Sequence, residues 1–138
     1  MELTRRMTRR QAVAAMGATA LAACFSDRPE DGTGPGGEDT VIEMTNQLTF
    51  SPETVTIQVG SRVTWRNTSD VLHTATGDPA KAVDPSNVRL PQGADPWDSG
   101  GVTAGVEYSR TFDIPGEYRY FCIPHEQAGM VGTILVTS

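Results

Sequence analysis

The chain has 138 residues, of which 38% are hydrophobic and 20% charged, and its formal net charge at pH 7 is −6. A chain of this length suits a single domain with one hydrophobic core. The excess of acidic residues excludes a general nucleic-acid-binding surface, because an acidic surface repels phosphates.

Residues 1–23 have the layout of an export signal. Four arginines lie near the start, an apolar run extends from Ala12 to Ala23, and small residues end the run. This order is typical of a signal peptide. The apolar run is also too short for a permanent transmembrane helix, which needs about 20 residues. We therefore expect an exported protein whose mature chain lacks residues 1–23.

The end of this signal indicates how the mature chain is attached to a membrane. Leu21-Ala22-Ala23-Cys24 resembles the cleavage box of bacterial lipoproteins, and the resemblance implies a lipid on Cys24. Thr8-Arg9-Arg10 resembles a twin-arginine signal, but Ala12 replaces its usual bulky residue, so the export route stays open. Residues 24–39 are rich in Gly, Asp and Glu and have few apolar side chains. We interpret them as a flexible linker with a reach of roughly 20 Å.

From residue 40 onward, apolar and polar residues alternate as is typical of β-strands. We predict strands over Val55–Val59, Val63–Asn67, Tyr118–Cys122 and Val131–Val136. Turn residues separate these segments, and they show no long helical pattern. The pattern predicts an all-β domain over residues 40–138, folded as a Greek-key antiparallel β-sandwich.

The segment between Gly77 and Gly101 breaks this alternation. Four prolines divide it, and we predict a long connection with a short helix around Ala80–Val83. We assign no function to the aspartates of this connection.

Four side chains with metal-binding chemistry form a pattern in the domain. Cys122, His125 and Met130 have the spacing Cys-x2-His-x4-Met, directly after a predicted strand. His73 is the other histidine of the chain and lies just beyond the Val63–Asn67 strand. The ends of two strands that are distant in sequence can meet at one pole of a sandwich. We therefore predict a metal site at this pole, formed by His73, Cys122, His125 and Met130.

A thiolate, two imidazoles and a weak thioether are typical ligands of a type 1 copper site. They bind both Cu(I) and Cu(II), which favours one-electron transfer over substrate chemistry. Zinc fits less well, because a structural zinc site takes four nitrogen, sulfur or carboxylate ligands and thioether is a poor one. A nucleophilic cysteine would need a base and an orienting group beside Cys122. Each residue taken singly also has an ordinary structural role, so zinc and a catalytic cysteine remain alternatives.

Several motifs in residues 41–138 resemble the plastocyanin-like cupredoxins, including the halocyanin-type members. The segment 120–133 is similar to the copper loop and final strand of that family. The segments 48–52 and 63–67 are similar to its early turn and to the strand before its first histidine. The resemblance implies a cupredoxin fold with one type 1 copper ion per chain, held by His73, Cys122, His125 and Met130.

Three other positions can be compared with this family. Thr74 follows the first histidine where plant plastocyanins have Asn, and we expect its hydroxyl to brace the ligand loop in part. Phe121 precedes the cysteine where they have Tyr, which argues against an electron route through that side face. Tyr118 lies in a turn that matches the family, and we expect its hydroxyl to form a structural hydrogen bond.

We therefore expect a monomeric, non-enzymatic one-electron carrier, anchored on the extracytoplasmic side of a membrane. Its partners would be a donor and an acceptor redox protein, such as cytochromes or a copper oxidase or reductase. The alternatives are copper delivery or storage by the same ligands, and electron donation to a separate copper enzyme. Electrons are expected to leave at the edge of His125, across an apolar surface where Leu48 lies beside Pro124 and Ala128 and Phe50 points into the core.

Overall fold

A computed structural model of the protein describes residues 39–138. The predicted signal peptide, Cys24 and the linker up to residue 38 lie outside the described residues. The first strand begins at Asp39, one residue before the predicted start of the domain. Within residues 39–138, no helix is both long and apolar enough to cross a membrane.

Short β-strands make up most of the regular structure. In chain order the strands of the described residues are β1 Asp39–Met44, β2 Phe50–Ser51, β3 Thr54–Gln58, β4 Ser61–Asn67, β5 Thr76–Gly77, β6 Trp97–Asp98, β7 Glu107–Phe112, β8 Gly116–Phe121 and β9 Val131–Thr137. The 3-10 helices between them are η1 Pro79–Lys81, η2 Pro85–Asn87 and η3 Ile123–Ala128. All four predicted strands are observed, as β3, β4, β8 and β9, with ends within two residues of those predicted.

The strands form two sheets. One has the order β3-β9-β8-β5-β6, and the other has the order β2-β1-β4-β7. The predicted all-β sandwich is confirmed, but the sheets are mixed rather than antiparallel throughout. β1 pairs with β4, and β3 pairs with β9, in the parallel direction. Local alternation identifies a strand and its buried face, but it does not determine the direction of a partner that is distant in sequence.

β4 shows how this alternation builds the core. Its inward side chains are buried, whereas Arg62 and Arg66 are exposed. Trp65 is fully buried, and its ring centroid lies 6.2 Å from that of Trp97 and 5.3 Å from that of Tyr120. Trp65 belongs to one sheet and the other two rings belong to the second sheet. Large aromatic side chains therefore join the two layers.

The predicted connection between β5 and β6 contains η1 and η2. The short helix predicted around Ala80–Val83 corresponds to η1, which begins one residue earlier. Each of the two 3-10 helices starts with proline after a capping aspartate, Asp78 for η1 and Asp84 for η2. Proline suits the first helical position because the amide hydrogen that it lacks has no partner there. The connection is therefore ordered by local caps rather than by a sheet.

Two contacts fix side chains of β8, the strand that precedes the segment from Cys122 to Met130. The Tyr118 hydroxyl donates to the Ile114 carbonyl at 2.6 Å, which confirms the predicted structural hydrogen bond. Gly132 faces the ring of Tyr120 across the β8–β9 pair, and a Cβ at this position would collide with the ring. A larger residue at position 132 would therefore push these two strands apart.

Candidate metal centre

Strand ends bring the predicted ligand residues to one end of the domain. Cys122 follows β8 directly, His125 lies in η3, and β9 begins one residue after Met130. His73 lies between β4 and β5, where its backbone forms two hydrogen bonds with that of Val102. The two strand ends that carry the predicted ligands therefore meet, as the sequence predicts.

Three potential ligand atoms converge at this point. Cys122 Sγ lies 3.6 Å from His73 Nδ1 and 3.3 Å from His125 Nδ1. Sulfur and nitrogen ligands about 2.3 and 2.0 Å from one ion are separated by about 3.5–3.7 Å when their bonds are about 110–120° apart. The observed separations are close to these values, so the three atoms can share a single metal ion.

The ring of His73 is held in one orientation and one tautomer. Its Nε2 lies 3.1 Å from the carbonyl oxygen of Thr45. Since a carbonyl oxygen only accepts hydrogen bonds, Nε2 carries the proton and Nδ1 presents its lone pair to Cys122. Burial also lowers the pKa of His73, which favours the neutral ring that metal binding requires.

The thiol of Cys122 is fully buried. The Thr74 N–H donates to its sulfur at 3.3 Å. Burial raises the pKa of this thiol above its ordinary value, and the Thr74 N–H offsets part of that effect. A thiolate in this position is therefore stable when a cation neutralises it. The environment suits a metal ligand rather than an accessible nucleophile.

Backbone hydrogen bonds close the segment from Cys122 to Met130 into a tight loop. The Cys122 N–H donates to the Met130 carbonyl at 3.0 Å, and the Met130 N–H donates to the His125 carbonyl at 3.3 Å. Gly129 has a φ of 84°, in the left-handed region that glycine adopts without strain. It ends η3 and turns the chain into Met130 and β9. Met130 is 1% exposed, so it lies inside the domain at the end of the loop. With His73, the loop residues form an arrangement that resembles a type 1 copper site.

Asn67 supports the loop before His73 and was not identified from the sequence. Its side-chain amide donates to the carbonyls of Val71 and Val102, each at 2.7 Å. Its oxygen accepts from the N–H and the hydroxyl of Ser69. All four hydrogen-bonding positions of the buried amide are therefore used. The signal in the sequence was an amide at an inward position of a strand, which has to find partners when it is buried.

Glu126 is a second supporting residue that the sequence analysis missed. It is 8% exposed although it carries a carboxyl group. Its oxygens accept from the N–H groups of Val83 and Asp84 and from the Asn87 amide, each at 2.9 Å. Burial alone would raise the pKa of Glu126, but these three donors outweigh burial and lower it. The carboxylate therefore ties the loop that carries His125 to the connection between β5 and β6.

Thr74 braces the ligand loop, as the sequence analysis expected. Its hydroxyl oxygen accepts from the Ile123 N–H at 2.9 Å, while its own N–H contacts the Cys122 sulfur. Thr74 thus contacts both the Cys122 side chain and the peptide that follows it. Phe121 is fully buried and offers no exposed ring beside the site.

The surface around His125 differs in one respect from the prediction. His125 is partly exposed, and Phe50 is buried as predicted. Leu48 is only partly exposed because it packs against the core. The large apolar side chains that are most exposed next to ligand residues are instead Leu72 and Ile123, at 47% and 40%.

Comparison with known proteins identifies relatives of the folded part of the chain. Residues 38–137 match a family described as copper binding proteins of the plastocyanin/azurin type. A chloroplastic plastocyanin of Tetradesmus obliquus is 43% identical over 89 residues, which cover 64% of this chain and 59% of that protein. A halocyanin of Natronomonas pharaonis is 29% identical over 111 residues, which cover 77% of this chain and 61% of that protein. The chain therefore spans about three fifths of the length of these two relatives.

A solved structure shows the same fold. The crystal structure of pseudoazurin from Methylobacterium extorquens AM1 has a TM-score of 0.57 and 25% sequence identity to this chain. The similarity covers 73% of this chain and 76% of the pseudoazurin. The two-sheet sandwich described above is thus a known architecture.

Proposed function

The chain belongs to the plastocyanin/azurin family of copper-binding proteins, and on this premise we propose that it carries single electrons, with His73, Cys122, His125 and Met130 binding one copper ion. Membership of this family supports copper-based electron transfer as the general function. The observation that carries the proposal is the convergence of Cys122 Sγ with the Nδ1 atoms of His73 and His125, at 3.6 and 3.3 Å. Copper supplies a one-electron change between Cu(I) and Cu(II) when it is bound to such ligands.

The contribution of the protein is a rigid set of donor atoms. The Thr45 carbonyl fixes the His73 ring, and the Thr74 N–H fixes the Cys122 sulfur. The hydrogen bonds between Cys122, His125 and Met130 hold the remaining loop. Because each donor is supported by a further hydrogen bond or by burial, the ligands need to move little when the charge of the centre changes. Small movements of this kind favour fast electron transfer.

The proposal is tested by adding Cu(II) to the purified mature protein. We expect an intense visible absorption band that arises from charge transfer from the Cys122 sulfur to copper. Cys122→Ser should abolish the band, whereas Gln127→Ala, at an exposed position of the same loop, should retain it. A strong band in the Cys122→Ser protein would contradict the assignment. Rapid loss of the bound copper to a chelator would favour copper delivery or storage instead.

We further propose that the carrier is held on the extracytoplasmic side of a membrane by a lipid on Cys24. Support comes from the Leu21-Ala22-Ala23-Cys24 box, which lies outside the described residues. Its donor and acceptor would be redox proteins such as cytochromes or a copper oxidase or reductase.

Membrane fractionation of cells that express the full chain tests the anchor. Cys24→Ser should move the protein from the membrane fraction to the soluble fraction, because no other residue of the segment can carry the thioether. Ser26→Ala is the matched control and should stay in the membrane fraction. Equal membrane retention of the two variants would refute the lipid anchor. It would not bear on the proposed copper site, which is tested separately by the visible band.

A further inference from the structure

A chain of hydrogen bonds connects the ligand loop to the pair of strands β5 and β6. The Ile123 N–H donates to Thr74 Oγ1 at 2.9 Å, and the hydroxyls of Thr74 and Thr76 are 2.9 Å apart. Thr76 Oγ1 in turn lies 3.0 Å from Asp98 Oδ1. The two threonines are 6% and 0% exposed, so water competes little for their hydroxyls. These hydrogen bonds thus lead from Ile123, the residue after Cys122, to the carboxyl group of Asp98 on β6.

The chemistry of these groups sets the direction of each bond. An ionised carboxylate only accepts, so the Thr76 hydroxyl donates to Asp98. A hydroxyl has a single hydrogen, so Thr76 then accepts from the Thr74 hydroxyl. Only lone pairs remain on the Thr74 oxygen, and they accept the Ile123 N–H. All the hydrogen bonds therefore point toward Asp98, and each polarises the next.

Asp98 is held in place and kept ionised by further partners. Its Oδ2 lies 3.0 Å from Lys81 Nζ, and its Oδ1 also accepts the Gly100 N–H at 3.0 Å. Burial alone would raise the pKa of Asp98, but the Gly100 N–H, Lys81 and the Thr76 hydroxyl outweigh burial and lower it. Asp98 is also the register partner of Thr76 in the β5–β6 pair. The chain of hydrogen bonds therefore ends at an ionised carboxylate that is held in place and paired with Lys81.

We propose that Thr76 and Asp98 are positioning residues of the metal centre, which act through Thr74 on the peptide between Cys122 and Ile123. This inference rests on the proposed function, because the affected loop is the copper-binding loop. The chain of hydrogen bonds holds that peptide in one orientation while the Thr74 N–H contacts the Cys122 sulfur. Asp98→Asn would remove a negative charge and leave the Lys81 ammonium unpaired, and both changes disfavour the more positive Cu(II) state relative to Cu(I). The competing explanation is that these bonds only stabilise the β5–β6 pair.

Four variants separate these explanations. Thr76→Val keeps the shape of the side chain but removes the hydroxyl, and Thr76→Ser keeps the hydroxyl. Asp98→Asn keeps an acceptor oxygen and removes the charge. Thr64→Val is the matched control, because Thr64 is also a strand threonine whose hydroxyl bonds to another hydroxyl, that of Ser109 at 2.8 Å.

Two measurements are made on each variant of the mature protein. In the metal-free form, the amide hydrogen exchange rate of the Ile123 N–H reports on the chain of hydrogen bonds from Ile123 to Asp98. Thr76→Val should speed this exchange by about fivefold or more, as expected for the loss of one hydrogen-bond contribution. In the copper-loaded form, the reduction potential reports the effect on the centre, and we expect it to rise in Asp98→Asn. Thr76→Ser and Thr64→Val should remain near the wild type in both measurements.

The two measurements give distinct outcomes. Unchanged Ile123 exchange and unchanged potential in folded Thr76→Val protein would overturn the inference. If Thr76→Val does not fold, unchanged potential and exchange in Asp98→Asn would overturn it equally. A changed exchange rate at Ile123 with no change of the reduction potential in any variant would show that these hydrogen bonds only stabilise the structure, which would also overturn the inference. Absence of a copper–thiolate band in the wild type would refute the proposed function. Hydrogen exchange at Ile123 in the metal-free protein would still report on the hydrogen bonds that lead to Asp98.

Discussion

Met130 differs in chemistry from the other proposed ligands. A thioether is a neutral and weak donor, whereas a thiolate and two imidazoles bind copper strongly. Met130 is 1% exposed and its backbone is hydrogen-bonded to both Cys122 and His125, so its place at the end of the loop does not depend on a metal bond. We therefore expect Met130 to influence the redox balance more than the affinity for copper.

The first prediction concerns this residue. Met130→Leu should retain copper and its visible band, and its reduction potential should rise, because loss of the weak thioether favours Cu(I) and an apolar side chain still excludes water. Spectroelectrochemical titration measures both properties. Met44→Leu, at another buried methionine of the core, is the control and should leave the potential unchanged. Failure of Met130→Leu to bind copper would show that Met130 is more than a weak axial ligand.

At the scale of elements, the connection between β5 and β6 supports the ligand loop in η3. Glu126 accepts three hydrogen bonds from residues 83–87, although more than 35 positions separate it from each of them. Hydrogen bonds to a charged group contribute about 1.5–3 kcal/mol each, and several on one group are not additive. A single carboxylate therefore fixes both the loop and the two short 3-10 helices.

The second prediction follows from this carboxylate. Glu126→Ala should lower the free energy of unfolding of the metal-free protein by about 2–3 kcal/mol, because three donors lose their acceptor. Glu126→Gln should also destabilise the protein, since its amide group places hydrogens against N–H donors. Urea denaturation measures the loss, with Gln127→Ala as the exposed neighbouring control. A loss below about 0.5 kcal/mol, the range of ordinary surface substitutions, would contradict the role of Glu126.

We expect electrons to enter and leave the molecule through the surface that contains turn residues 45–48. Turn residues 45–48 lie against the site, because the Thr45 carbonyl accepts from both the Leu48 N–H and the His73 ring. Leu72 and Ile123, which are next to ligand residues in the chain, add exposed apolar surface. A weak and transient partner needs only a small interface of this kind.

The third prediction tests this surface. Leu48→Glu should slow electron self-exchange by placing a charge where two copies approach, and it should leave the visible spectrum and the potential nearly unchanged. Val41→Glu introduces the same charge at an exposed position of β1 and is the control. Line broadening in NMR spectra of mixed oxidation states measures the exchange rate. An unaltered rate in Leu48→Glu, with a slower rate in Leu72→Glu, would move the exit to the more exposed leucine.

Features that depend on neighbouring residues could be predicted from the sequence alone. Alternating side chains identified the strands, because successive residues of a strand face opposite sides. The spacing of Cys122, His125 and Met130 predicted a metal-binding loop, because three potential ligands lie within nine consecutive residues. The buried position of Phe50 and the hydrogen bond of Tyr118 were also predicted, from segments that resemble the plastocyanin-like cupredoxins.

Features that join distant segments became visible only in the folded domain. The parallel pairing of β1 with β4 and of β3 with β9 could not be inferred, because alternation is the same in either direction. Glu126 looked like an ordinary surface acid, since nothing near it in the chain supplies its donors. Asp98 accepts from the nearby Gly100 N–H, but its other partners, Lys81 and Thr76, lie on other elements. The donors of Glu126 reach it only when the connection between β5 and β6 packs against the loop that carries His125. A buried carboxylate is stable where several donors from separate segments meet, and the fold alone brings those segments together.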